Sequence, residues 1–383
     1  MRYGKIVLLL ILLVSFCGCN FNLIALKTGD SQPMLHNNAK ENVHKTMIEM
    51  ESFGAKGDGT TDDTVAFQTA VNSLASDKWL HIPAGTYMVD EIMLRAGAEL
   101  VGDDGAVIKS RTVGKEIFHI AVDNVTLRNL IIDGDMKRKN AIKMLEANGI
   151  TIENCEIRNT YGDSVESGSW AILIKGGSNI AIQDCYFHDI SGPENGVQGD
   201  SVGANRAVWS WNVASMTIMN CRFEEIRGFE DGDCIQITGE NGWHSDVKIQ
   251  DCNFNGFYKR AIKVQTSGVK IIHNMMTAHP EADQKRNFQA AISIFAGDNL
   301  VDNNVIVLHN SRLGVDLNGR NCKVVNNMIS VDEAGNNKRT AGIYVSAAAS
   351  NSTVENNTIC NIADAIEINK TSIGVVERKN IRQ

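Results

Sequence analysis

The sequence predicts an all-β solenoid of stacked parallel strands, on three observations. A five-residue strand phrase recurs nine times, a second strand phrase stands upstream of most copies, and the composition suits tight turns. The first phrase reads NAIKM (140–144), WAILI (170–174), RAVWS (206–210), DCIQI (233–237), RAIKV (260–264), AAISI (290–294), LGVDL (313–317), AGIYV (341–345) and DAIEI (364–368). The second begins at Val125, Ile150, Ile180, Met216, Val247 and Val269, with shorter versions at Val324 and Val354. It alternates apolar with polar residues and ends on a polar bend. Successive phrases start roughly 22 to 36 residues apart, the length of one solenoid turn with about three short strands. With 33 Gly, many Asn and only four Pro, the chain is a poor candidate for a helical bundle.

Taken in order, residues 1–19 form a targeting segment: a basic start at Arg2 and Lys5, an apolar run from Ile6 to Val14, then Gly18-Cys19. The run is short for a bilayer span. Gly18-Cys19 resembles the end of a bacterial lipoprotein signal, with Cys19 as the lipidated residue; plain secretion is the alternative. Residues 20–48 are polar and aperiodic and read as a tether. Residues 49–383 then form one domain, of which 49–110 are the N-terminal cap and first coils. Within the cap, Thr60 or Thr61 is expected to cap a helix with Asp62 and Asp63 in its first turn. Ala66, Phe67, Ala70, Val71 and Leu74 fall on one face of that helix, which would cover the lower end of the solenoid.

Stacking fixes the rest. Strands in successive coils lie about 4.8 Å apart, so equivalent side chains form ladders. Parity turns Ile235 with Ile237 and Ile262 with Val264 inward. It turns Lys143, Leu173, Trp209, Gln236, Lys263, Ser293, Asp316, Tyr344 and Glu367 outward. At the polar bend, Cys155, Cys185, Cys221 and Cys252 share a column with Asn274, Asn304, Asn327 and Asn357. These read as buried thiols continued by an amide ladder, not as metal ligands or a disulfide framework.

A net charge of −8 argues against nucleic acid, so an anionic partner has to be met by a local patch. One such patch is visible. The residues opening three consecutive first phrases are Arg206, Asp233 and Arg260, joined by Lys259 and by Trp209, Gln236 and Lys263 of the outward ladder. Trp209, Trp211 and Trp243 offer flat surfaces for sugar rings.

The stretch Phe53-Gly-Ala-Lys-Gly-Asp-Gly-Thr-Thr-Asp-Asp-Thr-Val-Ala-Phe-Gln-Thr-Ala-Val71, with Ile82-Pro-Ala-Gly-Thr-Tyr87 and Leu100-Val-Gly-Asp103, resembles the entry segment of the pectate lyase-like superfamily. The nearest branch is the one similar to rhamnogalacturonases and polygalacturonases. That resemblance runs from about residue 51 to the end and implies a right-handed parallel β-helix acting on an acidic polysaccharide. Glu230-Asp-Gly-Asp-Cys-Ile235 is similar to the Gly-Asp-Asp-Cys-Ile phrase of polygalacturonase-type hydrolases, placing Asp233 on the second aspartate with Gly232 in place of the first. Asn205-Arg-Ala207 stands where those enzymes carry Asn-Thr-Asp. Their Gly-His-Gly is absent, leaving only His244 nearby.

An inverting hydrolase needs two carboxyl groups flanking the bond. Here Asp233 would be the acid, with Asp231 or Glu230 as the base. A lyase needs a cation on the substrate carboxylate, a base for the α-proton and a proton for the leaving oxygen. Arg206, Lys259, Arg260 and Lys263 fit those tasks, with Lys263 or Arg260 as base, Arg206 on the carboxylate, and Asp233 orienting a cation or holding calcium with Asp231. The lyase reading is preferred over the hydrolase; a polymer epimerase and a non-catalytic carbohydrate-binding solenoid are the other readings. The same three residues also read as a structural ion-pair ladder, and Asp316, Tyr344 and Glu367 as solvated surface.

Overall fold

The computed structural model describes residues 45–383 except 115, 138, 163–167, 193–204, 228–231, 281–289, 310–312 and 332–340. The targeting segment with Cys19, most of the tether, and Glu230 and Asp231 lie outside the described residues.

The described chain is a parallel β-helix of three sheets, with 13, 13 and 11 strands. Each coil visits them in the same order. One coil runs Ser178–Gln183 in the first sheet, Tyr186–His188 in the second and Arg206–Trp211 in the third. The first strand, Thr46–Glu49, already pairs with Lys78–Ile82, so the sheets begin inside the segment expected to be tether.

The corner between the first and second sheets explains the second phrase. Asn154, Asp184, Asn220, Asp251, His273, Asn303, Asn326 and Asn356 all sit at positive φ, from 50° to 57°. Asn and Asp tolerate this left-handed conformation better than other side chains. The turn throws the next residue inward, and there the Cys and Asn column lies. Asn274 Nδ2 donates to Asn304 Oδ1 at 3.0 Å, Asn304 to Asn327 at 2.9 Å and Asn327 to Asn357 at 3.0 Å. Each acceptor oxygen also takes the backbone N–H of the residue before it in the ladder. All seven cysteines of the helical body are free and buried, and burial pushes the Cys221 and Cys234 thiols up. Beneath the second sheet, Phe187, Phe223 and Phe254 stack with ring centroids 4.9 and 4.8 Å apart, the apolar version of the same register.

A helix forms at Thr64–Asn72, and Phe67, Ala70 and Val71 are buried as expected, with Leu74 just beyond it. Its start differs from the expectation. Thr60 and Thr61 belong to the strand Asp58–Asp62, and Asp63 occupies the cap position without capping. The Asp63 carboxylate instead accepts the backbone N–H groups of Lys56 and Gly57 at 2.7 and 3.1 Å, tying down the preceding turn. The Gln68 amide bonds both the C=O and the N–H of Met93, in the end strand of the third sheet.

The third sheet departs from simple alternation at one point that matters. Ala207 and Val208 are consecutive and both fully buried, as are Ala261 and Ile262. The first of each pair is small. A Cβ on Gly314, the equivalent position, would stand 2.5 Å from the Gly342 carbonyl oxygen and 2.6 Å from the Ile329 side chain. The residue before this pair opens the strand, at the rim of the third sheet.

Candidate functional site

Trp170, Arg206, Asp233 and Arg260 occupy that rim position in four successive coils, and their Cα atoms are direct register partners. The adjoining outward ladder runs in register through Lys143, Leu173, Trp209, Gln236, Lys263, Ser293, Asp316 and Tyr344. Residues about thirty apart in sequence therefore meet on one face.

Asp233 is the pivot of this face. It is 0% exposed, and Arg260 Nη1 donates to its Oδ1 at 3.0 Å. Arg206 Nε lies 4.0 Å from its Oδ2, which accepts no hydrogen bond. Both guanidinium groups also reach the outward ladder. Arg260 Nε donates to Ser293 Oγ at 3.2 Å, and Arg206 Nε donates to Gln236 Oε1. Gln236 passes the network on through its Nε2 to Thr238 Oγ1 at 3.0 Å and Gln265 Oε1 at 2.7 Å. A buried carboxylate with cations on both sides is a positioning device: it fixes where each guanidinium points. The same arrangement does not suit calcium at Asp233, because positive charge already faces both of its oxygens.

Lys263 stands between Gln236 and Ser293 in the ladder and is half-buried. Lys259 is buried at the corner before Arg260. Trp170 and Trp209 lie with ring centroids 4.9 Å apart, Trp211 meets Trp209 edge-on at 6.4 Å, and the Arg206 guanidinium is 5.4 Å from the Trp209 ring. Trp211 is the most open of the three, at 38% exposed. This aromatic platform lies beside the cation row.

The structure separates two expected residues from Asp233 and its arginines. Trp243 and His244 follow the strand Asp233–Thr238, whose far end lies about 17 Å from Asp233 at roughly 3.3 Å per residue and pairs with Trp211. Trp243 donates its indole N–H to the Val213 carbonyl at 3.3 Å, and His244 opens a strand of the first sheet. Leu173, Gln236 and Ser293 lie on the outward ladder but are covered by their neighbours, not solvated.

Two residues gain importance. Trp170 joins the aromatic platform. Asp316, expected to be solvated, is half-buried, and burial raises its pKa against the opposing pull of an Asn318 hydrogen bond and the Arg260 charge. Its ladder position was legible in the register, but its covering was not.

The family model described as "Rhamnogalacturonase A/epimerase, pectate lyase-like" matches residues 47–258, more than half of the chain. The chain belongs to this family. A second model, a right handed β-helix region, matches residues 233–383. Among relatives, the capsule K30/K69-specific Depolymerase 1 of Klebsiella phage K5-2 is 31% identical over 150 residues, covering 32% of this chain and 18% of the depolymerase. Among solved structures, the A-module of the Azotobacter vinelandii mannuronan C-5 epimerase AlgE4 superposes with a TM-score of 0.63 at 18% identity, covering 88% of this chain and 95% of the module. The Streptococcus pneumoniae surface adhesin PfbA gives 0.62 at 15% identity, covering 88% and 91%. At these identities the two structures establish the fold alone, a parallel β-helix.

Proposed function

We propose that the third-sheet face binds an acidic, uronate-containing polysaccharide across several coils and cleaves it by β-elimination. The observation that carries this reading is the burial of Asp233 against Arg260. An acid with no exposed surface cannot reach a glycosidic oxygen, so the hydrolase assignment of Asp233 loses its support, whereas a carboxylate that aims a guanidinium suits a site that must grip a substrate anion. Arg260, backed by Arg206, neutralises the uronate carboxylate and acidifies the neighbouring C–H. Lys263 removes that proton, the electron pair forms the new double bond, and the glycosidic C–O bond breaks. Asp316, whose pKa burial raises, supplies the proton to the leaving oxygen. The Trp170, Trp209 and Trp211 rings carry the sugar faces of the flanking units.

Incubation with a panel of uronate polymers tests this, following ultraviolet absorbance and reducing ends together. Unsaturated ends are expected, with Lys263→Ala losing at least about 100-fold in turnover at unchanged circular dichroism and Asp316→Asn losing about tenfold. Reducing ends without absorbance would mean hydrolysis. Polymer binding with neither signal would leave an adhesin-like or epimerising protein.

We further propose export with a lipid anchor on Cys19, which rests on the basic, apolar, Gly-Cys order of the first residues. Metabolic labelling with a radioactive fatty acid should mark the wild-type chain and not Cys19→Ala; equal labelling of both would end this assignment.

A further inference from the structure

A second polar cluster lies at the lower end of the same sheet, in its first two coils. The strands Ile92–Met93 and Phe118–Ile120 pair there, with Met93 opposite His119. Glu91 immediately precedes the first strand. Glu116 stands two residues before Phe118, the position that Arg206, Asp233 and Arg260 occupy higher up. Lys143 is the register partner of His119 one coil on.

We propose that Glu91, Glu116 and His119 hold a divalent transition-metal ion of the zinc or manganese class. One donor atom from each of the three lies within 4.8 Å of the other two. His119 Nδ1 hydrogen-bonds Glu116 Oε1 at 2.9 Å, a contact that an ion on Nδ1 would replace, and stands 3.4 Å from Glu91 Oε1. The second distance is long for a hydrogen bond but matches the edge of a tetrahedron of donors about 2.1 Å from a shared ion.

The independent observation is Glu116 itself. Its side chain is only 3% exposed, yet its Oε2 is buried with no hydrogen-bond partner. A carboxylate withdrawn from water normally has both oxygens met. Lys143 Nζ holds Oε1 at 3.0 Å, the outer support that metal-bound carboxylates receive, and leaves Oε2 as the donor. Among the described residues two carboxylates face the Lys143 ammonium, an excess of negative charge for a cation to offset. An imidazole among three donors points away from calcium, which takes roughly six to eight oxygens. The ion would pin together the first two strands of the third sheet and takes no part in the reaction proposed above.

The experiment uses the full chain, stripped with a chelator and titrated by calorimetry with zinc or manganese chloride. One ion per chain is expected, with affinity weakening as pH falls because Nδ1 must shed its proton to bind. Glu91 is exposed, so Glu91→Gln should fold normally and bind at least tenfold more weakly, as should His119→Ala. Lys143→Met, which removes the outer support of the Glu116 carboxylate, should weaken binding about tenfold. No stoichiometric uptake of either metal, or unchanged affinity in both Glu91→Gln and His119→Ala, would overturn the site. Equal saturation by calcium would overturn the metal class.

Discussion

Two corners of the β-helix carry ladders built on opposite principles. Where the first sheet meets the second, the coils from Asn154 to Asn356 repeat one solution: a left-handed Asn or Asp, once His273, then an inward Cys or Asn. Where the second meets the third, the rim position changes in every coil, from Trp170 to Arg206 to Asp233 to Arg260. The neutral ladder faces inward and satisfies itself through amides and backbone. The charged ladder sits at the rim, and its cations reach the outward face. Repetition along a column therefore marks architecture, and a column that stops repeating marks chemistry.

The sharpest way to break this contrast is Asp233→Ala. Two guanidinium groups would lose the carboxylate between them inside a covered site, at a cost of about 3–5 kcal/mol in urea unfolding. If the loss stays below about 1 kcal/mol, the charged column is not a mutually dependent unit. Next comes Asn304→Ala in the neutral ladder. Its amide nitrogen serves Ile271, Asp302 and Asn327, and its oxygen serves Asn274. Leaving those groups unmet should cost about 2–3 kcal/mol while polymer binding is unchanged. A binding defect with intact stability would mean that the two corners are not independent.

The smallest effect lies on the first sheet, away from both corners. His81 bonds Glu49 at 2.6 Å and Asp103 at 2.9 Å, and hydrogen bonds to Asp103 first and Glu49 second raise its pKa. A raised folded-state value means that its contribution is fully present below the unfolded value of about 6.5 and fades as pH rises through the folded one. Protection against hydrogen exchange in Thr46–Glu49, corrected for the base-catalysed intrinsic rate, should therefore fall on going from mildly acidic to mildly basic buffer, and His81→Asn should flatten that dependence. An equally steep profile in the variant would assign it to another group.

Much of the architecture was legible beforehand because it repeats. Inward pairs such as Ile262 with Val264, the thiol-to-amide column and the Arg206–Asp233–Arg260 register all follow from aligning phrases, and the coordinates keep them. The helix at Thr64–Asn72 was legible from its apolar face, but its start was not, because the Asp63 carboxylate turns back to Lys56 and Gly57. Spacing placed Asp233 in the site and said nothing of its burial. Proximity in sequence suggested His244, which the length of one strand carries away.

The sequence by itself determined the coil, the order of the ladders and which residues share a column, because strand parity and coil length are properties of the backbone. Tertiary structure alone decided which members of a column meet water. Asp233 is sealed by its two arginines, and Asp316 is half-covered beneath the same face. Glu116 is enclosed with one oxygen unmet. Solvent access depends on the long side chains of neighbouring coils, whose directions no single repeat encodes.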